Sequence, residues 1–366
     1  MKYFNYGLLV FVLIAIAGRY LGWSPILVFA TACLGVVPLA GWMGTATEEL
    51  AVRTGPRLGG LLNATLGNAA ELIITIVALR AGALNPELRE GLNELVKASI
   101  TGSILGNVLL ILGLSILLGG LKNGTQRFDR TQAGVNSTML ILAVIALGVP
   151  SLFGHAIEAV NHDAVEYLSL GVAGVMILVY GLSIIYAFRY APAMQEDEED
   201  DHIAHSQHAA NAGWSVRLAI GVLIVATLFI AWLSEILVGA VEPVVTQVGV
   251  SEFFLGIVLV PLVGNVAEHV VGVQVAVKNR MELSLAISLG SSLQIALFVA
   301  PFLVFASLLM GNPITLVFNQ FELIALVGAV LIAALIALDG ESNWLEGAQL
   351  LVVYVIIGMA FFFLPT

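Results

Sequence analysis

Two short runs hold the residues most able to do chemistry. Residues 67–73 read Gly-Asn-Ala-Ala-Glu-Leu-Ile, and residues 264–270 read Gly-Asn-Val-Ala-Glu-His-Val. Each has a carboxylate and, three residues earlier, a carboxamide: Asn68 with Glu71, and Asn265 with Glu268. On a helix that spacing puts both groups on one face. Two carboxylates and two amide oxygens, joined by backbone carbonyls freed near Gly67 and Gly264, make an oxygen-rich cage. Hard cations choose such ligands, and Ca²⁺ takes roughly 6–8 oxygens. Softer metals call for Cys or several His, and Cys33 is the single cysteine. The same carboxyl groups can carry protons, because desolvation and a second carboxylate nearby both favour the neutral acid. One site then has two mutually exclusive occupants.

Further polar groups follow each run. Ser99, Ser103 and Asn107 keep i, i+4, i+8 spacing and line one stripe. Ser288, Ser291, Ser292 and Gln294 do something similar in the other half. Asn107, Gln294, Ser103 and Ser292 join the candidate cation set; for Ser99 and Ser288, helix packing and a role in the site are both open. His269 follows Glu268 directly, about 100° away around the helix. It reads either as a proton-coupling partner of the two glutamates or as a packing histidine.

The chain that must position these groups has 366 residues, 59% of them apolar and only 11% charged. Soluble domains carry about 25% charge, so an ordinary globular protein is excluded. With 14 Lys+Arg against 25 Asp+Glu, the net charge of −11 excludes a nucleic-acid binder. Each membrane span needs roughly 20 apolar residues. Such stretches occur at 6–22, 24–43, 58–80, 98–119, 134–154, 165–188, 216–238, 253–277, 283–309, 321–338 and 344–364. The expected fold is an all-α polytopic membrane protein with about eleven spans. The first stretch lacks a small-residue cleavage site and reads as a retained span.

The two motifs match at four of seven positions, at an offset of 197 residues. Gly102-Ser103-Ile104-Leu105 is answered by Gly290-Ser291-Ser292-Leu293. The motifs lie in spans three and eight. Five spans separate them, and an odd number reverses direction, so the copies run antiparallel. Inverted-topology repeats are typical of secondary transporters, with the site near the midplane where the halves meet. The expected organisation is an extra N-terminal helix (1–23), a first five-helix repeat (24–190), a linker (191–213) and a second five-helix repeat (214–366).

Sides follow from the basic residues. Arg19, Arg80, Arg89 and Lys97 fall on one side; the other ten of the 14 Lys and Arg fall on the side of Lys2 and the linker. The N-terminus and linker are therefore expected in the cytoplasm and the C-terminus outside. The linker holds Glu196, Asp197, Glu198, Glu199, Asp200 and Asp201, then His202, His205 and His208. It reads as a solvated connector, a cytoplasmic cation sensor or a His-based switch. Glu48 and Glu49 at one side, and Glu235 and Glu322 near the other, are positions usually solvated and suited to a cation funnel.

The runs Ala46-Thr47-Glu48-Glu49-Leu50-Ala51 and Gly59 to Ile73 resemble the first signature of the cation/proton exchangers. That is the CAX branch of the calcium/cation antiporter superfamily. Gly264-Asn265-Val266-Ala267-Glu268-His269, with Gly290-Ser291-Ser292-Leu293-Gln294-Ile295 after it, resembles the second. The resemblance implies Ca²⁺ export or sequestration driven by inward proton flow. It implies that Glu71 and Glu268 hold ion and proton alternately, and that the acidic segment tunes transport. Sodium-coupled cousins tend to carry Ser/Thr-rich motifs with Pro before the Glu, where this chain has Ala70 and Ala267.

The sequence is thus read as a proton-coupled Ca²⁺ antiporter, with Ca²⁺, protons and the lipid bilayer as its partners and no bound cofactor. Rival readings are a Na⁺/Ca²⁺ or Mn²⁺ exchanger and a passive cation channel. No nucleophile–base pair, phosphate loop or metal triad points to an enzyme. Short loops favour a prokaryotic inner membrane, and a homo-oligomer is left open. Spans one, two, six and seven are expected to slide against a core of motif-bearing helices.

Overall fold

The computed structural model describes residues 7–158, 162–194 and 213–364. Glu196 to Asp201, with His202, His205 and His208, lie outside the described residues. The elements in order are α1 (Val10–Tyr20), α2 (Pro25–Leu66), α3 (Ala69–Leu84), α4 (Arg89–Asn123), β1 (Gln126–Arg127), α5 (Arg130–Glu158), α6 (His162–Met194) and α7 (Val216–Val248). The remainder are α8 (Glu252–Gly264), α9 (Val266–Val277), α10 (Met281–Leu309), α11 (Gln320–Ile336), β2 (Glu341–Ser342) and α12 (Trp344–Phe362).

Among the described residues, seven helices are long and apolar enough to cross a membrane unaided, and the bent pair α8–α9 makes an eighth. This is a multi-pass helical membrane protein. Three of the eleven expected stretches are shorter as helices: α1, α3 and α11 have 11, 16 and 17 residues. The expected link at 44–57 is instead helical, so α2 runs on to Leu66. Ala46, Glu48, Glu49, Leu50, Ala51 and Arg53 are good helix formers and carry the helix past the apolar stretch.

The bundle is apolar outside and shelters polar groups within a largely apolar core. Asn68, Glu71, Thr101, Asn107 and Asn265 are buried, while Leu152, Tyr167 and Leu178 stand exposed. Lipid is as apolar as Leu, so burial of small and polar groups drives the packing. α7 packs along α2, and α1 packs against α2. α6 packs instead on α5 and α10, so it does not group with α1, α2 and α7 as the sliding picture expected.

The connections gather at two ends. At one, Gln126 and Arg127 pair antiparallel with Ser342 and Glu341, and the Gln126 amide donates to Ala276 O at 2.8 Å and Asn279 Oδ1 at 3.0 Å. At the other, Asn93 donates to Asn312 Oδ1 at 3.0 Å and Asn312 to Leu79 O at 3.1 Å. Lys97 there donates to Val317 O at 3.1 Å, and Leu316 N to Ser169 Oγ at 3.1 Å. Counting α8–α9 as one segment and splitting α2 from α3, the first group joins links after segments four, eight and ten. The second joins links after three, five and nine. Even links meet even, and odd meet odd, as a chain crossing back and forth requires.

Glu322 departs from the expected solvated position. It is 3% exposed, accepts from Thr101 Oγ1 at 2.6 Å, and closes a capping box with Asn319 at the start of α11. An unpaired buried carboxylate is costly, and these donors offset that cost. Glu322 still borders a cavity of about 620 Å³ with Glu90, Asn93, Glu94 and Lys97. Glu235 is exposed, 4.0 Å from Arg80. At the opposite side Glu48 is exposed, and Glu49 accepts from Gly213 N at 3.3 Å.

Candidate functional site

The two motifs break their helices. The chain leaves helical geometry at Gly67 and Asn68 between α2 and α3, and at Asn265 between α8 and α9. Between Glu252–Gly264 and Glu268–Val277 the axis bends by 62°. Each glutamate consequently sits in the first turn of a half-helix, Glu71 on α3 and Glu268 on α9. The N-terminus of a helix carries partial positive charge, which favours a carboxylate there. Broken helices with their ends at the midplane are how transporters hold ions in lipid.

The partner helices α4 and α10 each contain a π-helical turn, Gly106–Ile111 and Ile295–Val299. Such turns recur at functional sites because one extra residue re-aims the side chains that follow. Asn107 lies within the first, and Gln294 immediately precedes the second. α4 approaches α8 backbone to backbone. A Cβ on Gly256 would fall 2.5 Å from Leu95 O, and one on Gly102 would strike the Ile257 backbone. Only glycine permits that approach, which brings Ser103 beside the break.

The side chains form one network across the two halves. Glu71 Oε1 accepts from Ser103 Oγ and, at 2.6 Å, from Asn265 Nδ2. Glu268 Oε2 accepts from Ser291 Oγ at 2.6 Å. The same Ser291 hydroxyl lies 2.9 Å from Asn68 Oδ1, and Asn68 Nδ2 donates to Gln294 Oε1 at 2.8 Å. Each glutamate bonds a serine of its own half, and each asparagine reaches into the other half. Glu71 is 3% exposed. Among the described residues no Lys or Arg forms an ion pair with either glutamate; Arg80 pairs with Glu235 and Arg127 with Glu341. Nor do three His, Cys, Asp or Glu gather there to hold a metal. A cation in this network therefore has to draw on amide and hydroxyl oxygens beside the two carboxylates.

Of the residues singled out in the sequence, Glu71, Glu268, Asn68, Asn265, Ser103 and Gln294 meet in this network. Asn107 and His269 stand next to it, their Oδ1 and Nε2 atoms 3.3 Å apart. Ser292 does not join: its hydroxyl bonds Ser288 O within α10 at 2.9 Å. Ser291 takes the position instead, and one signal pointed to it. In the paired runs Ser103 aligns with Ser291, because both follow the glycine.

This difference has a measurable consequence. Ser291→Ala removes the one hydroxyl that both Asn68 and Glu268 contact inside the bundle, a loss of about 1–3 kcal/mol. Ser292→Ala gives up a bond within one helix, worth about 0.5–1.5 kcal/mol. Chemical unfolding in detergent micelles should therefore rank Ser291→Ala as the less stable variant. Equal midpoints would contradict the assignment.

The sodium/calcium exchanger protein family matches residues 24–189 and 218–363. A Ca²⁺/H⁺ antiporter of Aphanothece halophytica is 44% identical over 370 residues, covering 98% of this chain and 96% of its own. The Ca²⁺/H⁺ antiporter ChaA of Bacillus subtilis is 41% identical over 352 residues, covering 96% of each chain. The solved structure of native YfkE superposes with a TM-score of 0.82 at 40% identity, over 98% of this chain and 100% of that one. With broken helices, paired acids and a match along nearly its whole length, this chain belongs to the sodium/calcium exchanger protein family.

Proposed function

We propose that the chain exchanges Ca²⁺ for protons across a bilayer by alternating access. The observation that carries this reading is the pair of glutamates, one from each half, joined by Asn and Ser donors and without an ion-pair partner among the described residues. A lone carboxylate at mid-membrane is costly, at least about 2.5 kcal/mol. Such a group is kept only if a proton or a cation neutralises it, and those are the two species exchanged. The relatives at 41–44% identity, named Ca²⁺/H⁺ antiporters, support the same reading.

Proton counting in the network agrees with it. Ser103 Oγ touches both Glu71 Oε1 and Ser99 O, and Ser291 Oγ touches both Glu268 Oε2 and Asn68 Oδ1. One hydroxyl has one proton to give. All four contacts are hydrogen bonds at once if each carboxyl supplies a proton of its own. When Ca²⁺ enters, the carboxyls give up those protons, and Asn68, Asn265 and Ser103 turn oxygens to the ion. Gln294 and Asn107 complete the shell, Ser292 remains a candidate ligand after a helix shift, and His269 assists proton coupling.

In this reading the first repeat is 24–190 and the second 214–366, with 1–23 as an added helix and 191–213 as linker. The N-terminus and the acidic linker face the cytoplasm of a prokaryotic inner membrane, and the C-terminus faces outside. Glu196 to Asp201 regulate from that side by concentrating cations. Protons enter from outside, and Ca²⁺ leaves against them.

The test is ⁴⁵Ca²⁺ uptake into proteoliposomes under an imposed pH gradient, repeated with a Na⁺ gradient at constant pH. Uptake should follow the pH gradient and ignore Na⁺. Uptake that requires Na⁺ would move the chain to the Na⁺-coupled reading, and Mn²⁺ competition would rank that ion against Ca²⁺.

A further inference from the structure

Buried hydroxyls in this bundle usually bond back to their own helix. Thr47, Thr75, Ser234 and Ser292 each donate to the carbonyl four residues earlier. Ser115, Ser284 and Ser288 do not, although each is at most 1% exposed. Their hydroxyls have no protein partner among the described residues. Neither have Asn107 Nδ2, His269 Nδ1 and Gln126 Oε1. These make six of the nine buried polar atoms in that condition.

The six are not scattered. They lie on three helices that pack together, α4, α9 and α10, and on the link after α4. Ser284, Ser288 and Ser291 keep i, i+4, i+7 spacing, so they share one face of α10. Its far end is Ser291, bonded to Glu268. On α4, Ser115 stands two turns beyond Asn107, about 12 Å towards the Gln126 end. On α9, the position of Gly272 is 3.3 Å from Ile111, 3.8 Å from Ile287 and 4.0 Å from Ser115 Oγ, measured from where a Cβ would sit. The Ser115 hydroxyl therefore faces the seam between α9 and α10. One turn further, Gln126 holds Ala276 O at 2.8 Å.

A buried polar atom without a partner costs about 1–3 kcal/mol. Several in a row, facing one seam, point to water as the shared partner, since a buried water makes about three hydrogen bonds. We propose that a hydrated track runs along this seam from the Gln126 end to the paired carboxylates, and that protons use it while the cation does not. Ser115, Ser284 and Ser288 line it, Gln126 marks its mouth, and Asn107 and His269 mark its inner end. Each hydroxyl accepts one hydrogen bond and donates one, so a proton passes by relay through the waters between them with no net change in the serines. None of the six belongs to a carboxylate, so they offer Ca²⁺ no negative charge. The proposal rests on the Ca²⁺/H⁺ exchange reading and adds a separate proton route to it.

The test compares two exchanges in the reconstituted full chain. Ca²⁺ uptake under a pH gradient needs net proton movement. Isotopic Ca²⁺/Ca²⁺ exchange at equal pH needs none. In the variant S115A/S284A/S288A the pH-driven rate should fall at least about tenfold, with Ca²⁺/Ca²⁺ exchange within about twofold of wild type. Ser288→Thr, which keeps a hydroxyl, should retain the pH-driven rate. If the triple variant does not survive purification, Ser288→Ala alone is read the same way, with a smaller loss. Loss of both exchanges together would mean the serines serve packing, and loss of neither would mean no protons pass there; each overturns the track. A wild type without any pH-driven uptake would instead refute the exchange reading.

Discussion

Glu71→Gln and Glu268→Gln should each reduce pH-driven ⁴⁵Ca²⁺ uptake to the level of protein-free liposomes. Gln keeps the length of the side chain and can still accept from Asn265 or Ser291, so the network that holds the breaks together survives. It cannot bear a negative charge or exchange a proton. A Ca²⁺ ion facing a single remaining carboxylate leaves one positive charge uncompensated in the membrane. That costs at least about 2.5 kcal/mol, roughly 70-fold in occupancy. Unfolding midpoints of the variants should equal or exceed wild type, because a buried acid has been replaced by a neutral amide. Either variant keeping half of the wild-type uptake rate, at equal folded protein, would refute the site. Both halves have to respond, because the two acids share one network.

Gly264→Ala should weaken Ca²⁺ binding about 5–150-fold while the protein still folds. A Cβ at this position would lie 2.5 Å from Glu71 Cγ, far inside van der Waals contact. Glu71 then has to leave its place beside Ser103 and Asn265, or α8 has to back away from α3. Overpacking of this kind costs about 1–3 kcal/mol. Gly290→Ala is the control. It lies at the start of the Gly-Ser run on α10, and nothing stands within 4 Å of its added methyl. Isothermal titration with Ca²⁺ separates the two variants. Equal affinities would mean that Glu71 is not held by the end of α8.

Much of this protein follows from the chain alone. The apolar stretches dictate a helical membrane protein, because only helices satisfy their backbone within each span. Paired Asn-x-x-Glu runs at an odd number of spans lead to the expectation of antiparallel copies with two acids near mid-membrane. The class of chemistry follows from residue type: carboxylates and amides suit a hard cation, and carboxylates also take protons.

Other features only the tertiary structure decided. Ser291 rather than Ser292 meets Glu268, because adjacent positions on a helix point about 100° apart and only packing fixes which faces inward. The π-helical turns at Gly106–Ile111 and Ile295–Val299 shift the phase of all that follows them, and a regular 3.6-residue pattern cannot foresee that. Asn265 donates to Glu71 of the opposite half, a partner 194 residues away in sequence. Thr101 buries Glu322, whose charge suggested a solvated place. The helix through 44–57 continues because local propensity outlasts the apolar stretch. That helix apart, the deciding contact is made between helices distant in sequence, or by a turn whose geometry no single residue type encodes. The residue types of the candidate site were therefore local, and its wiring was not.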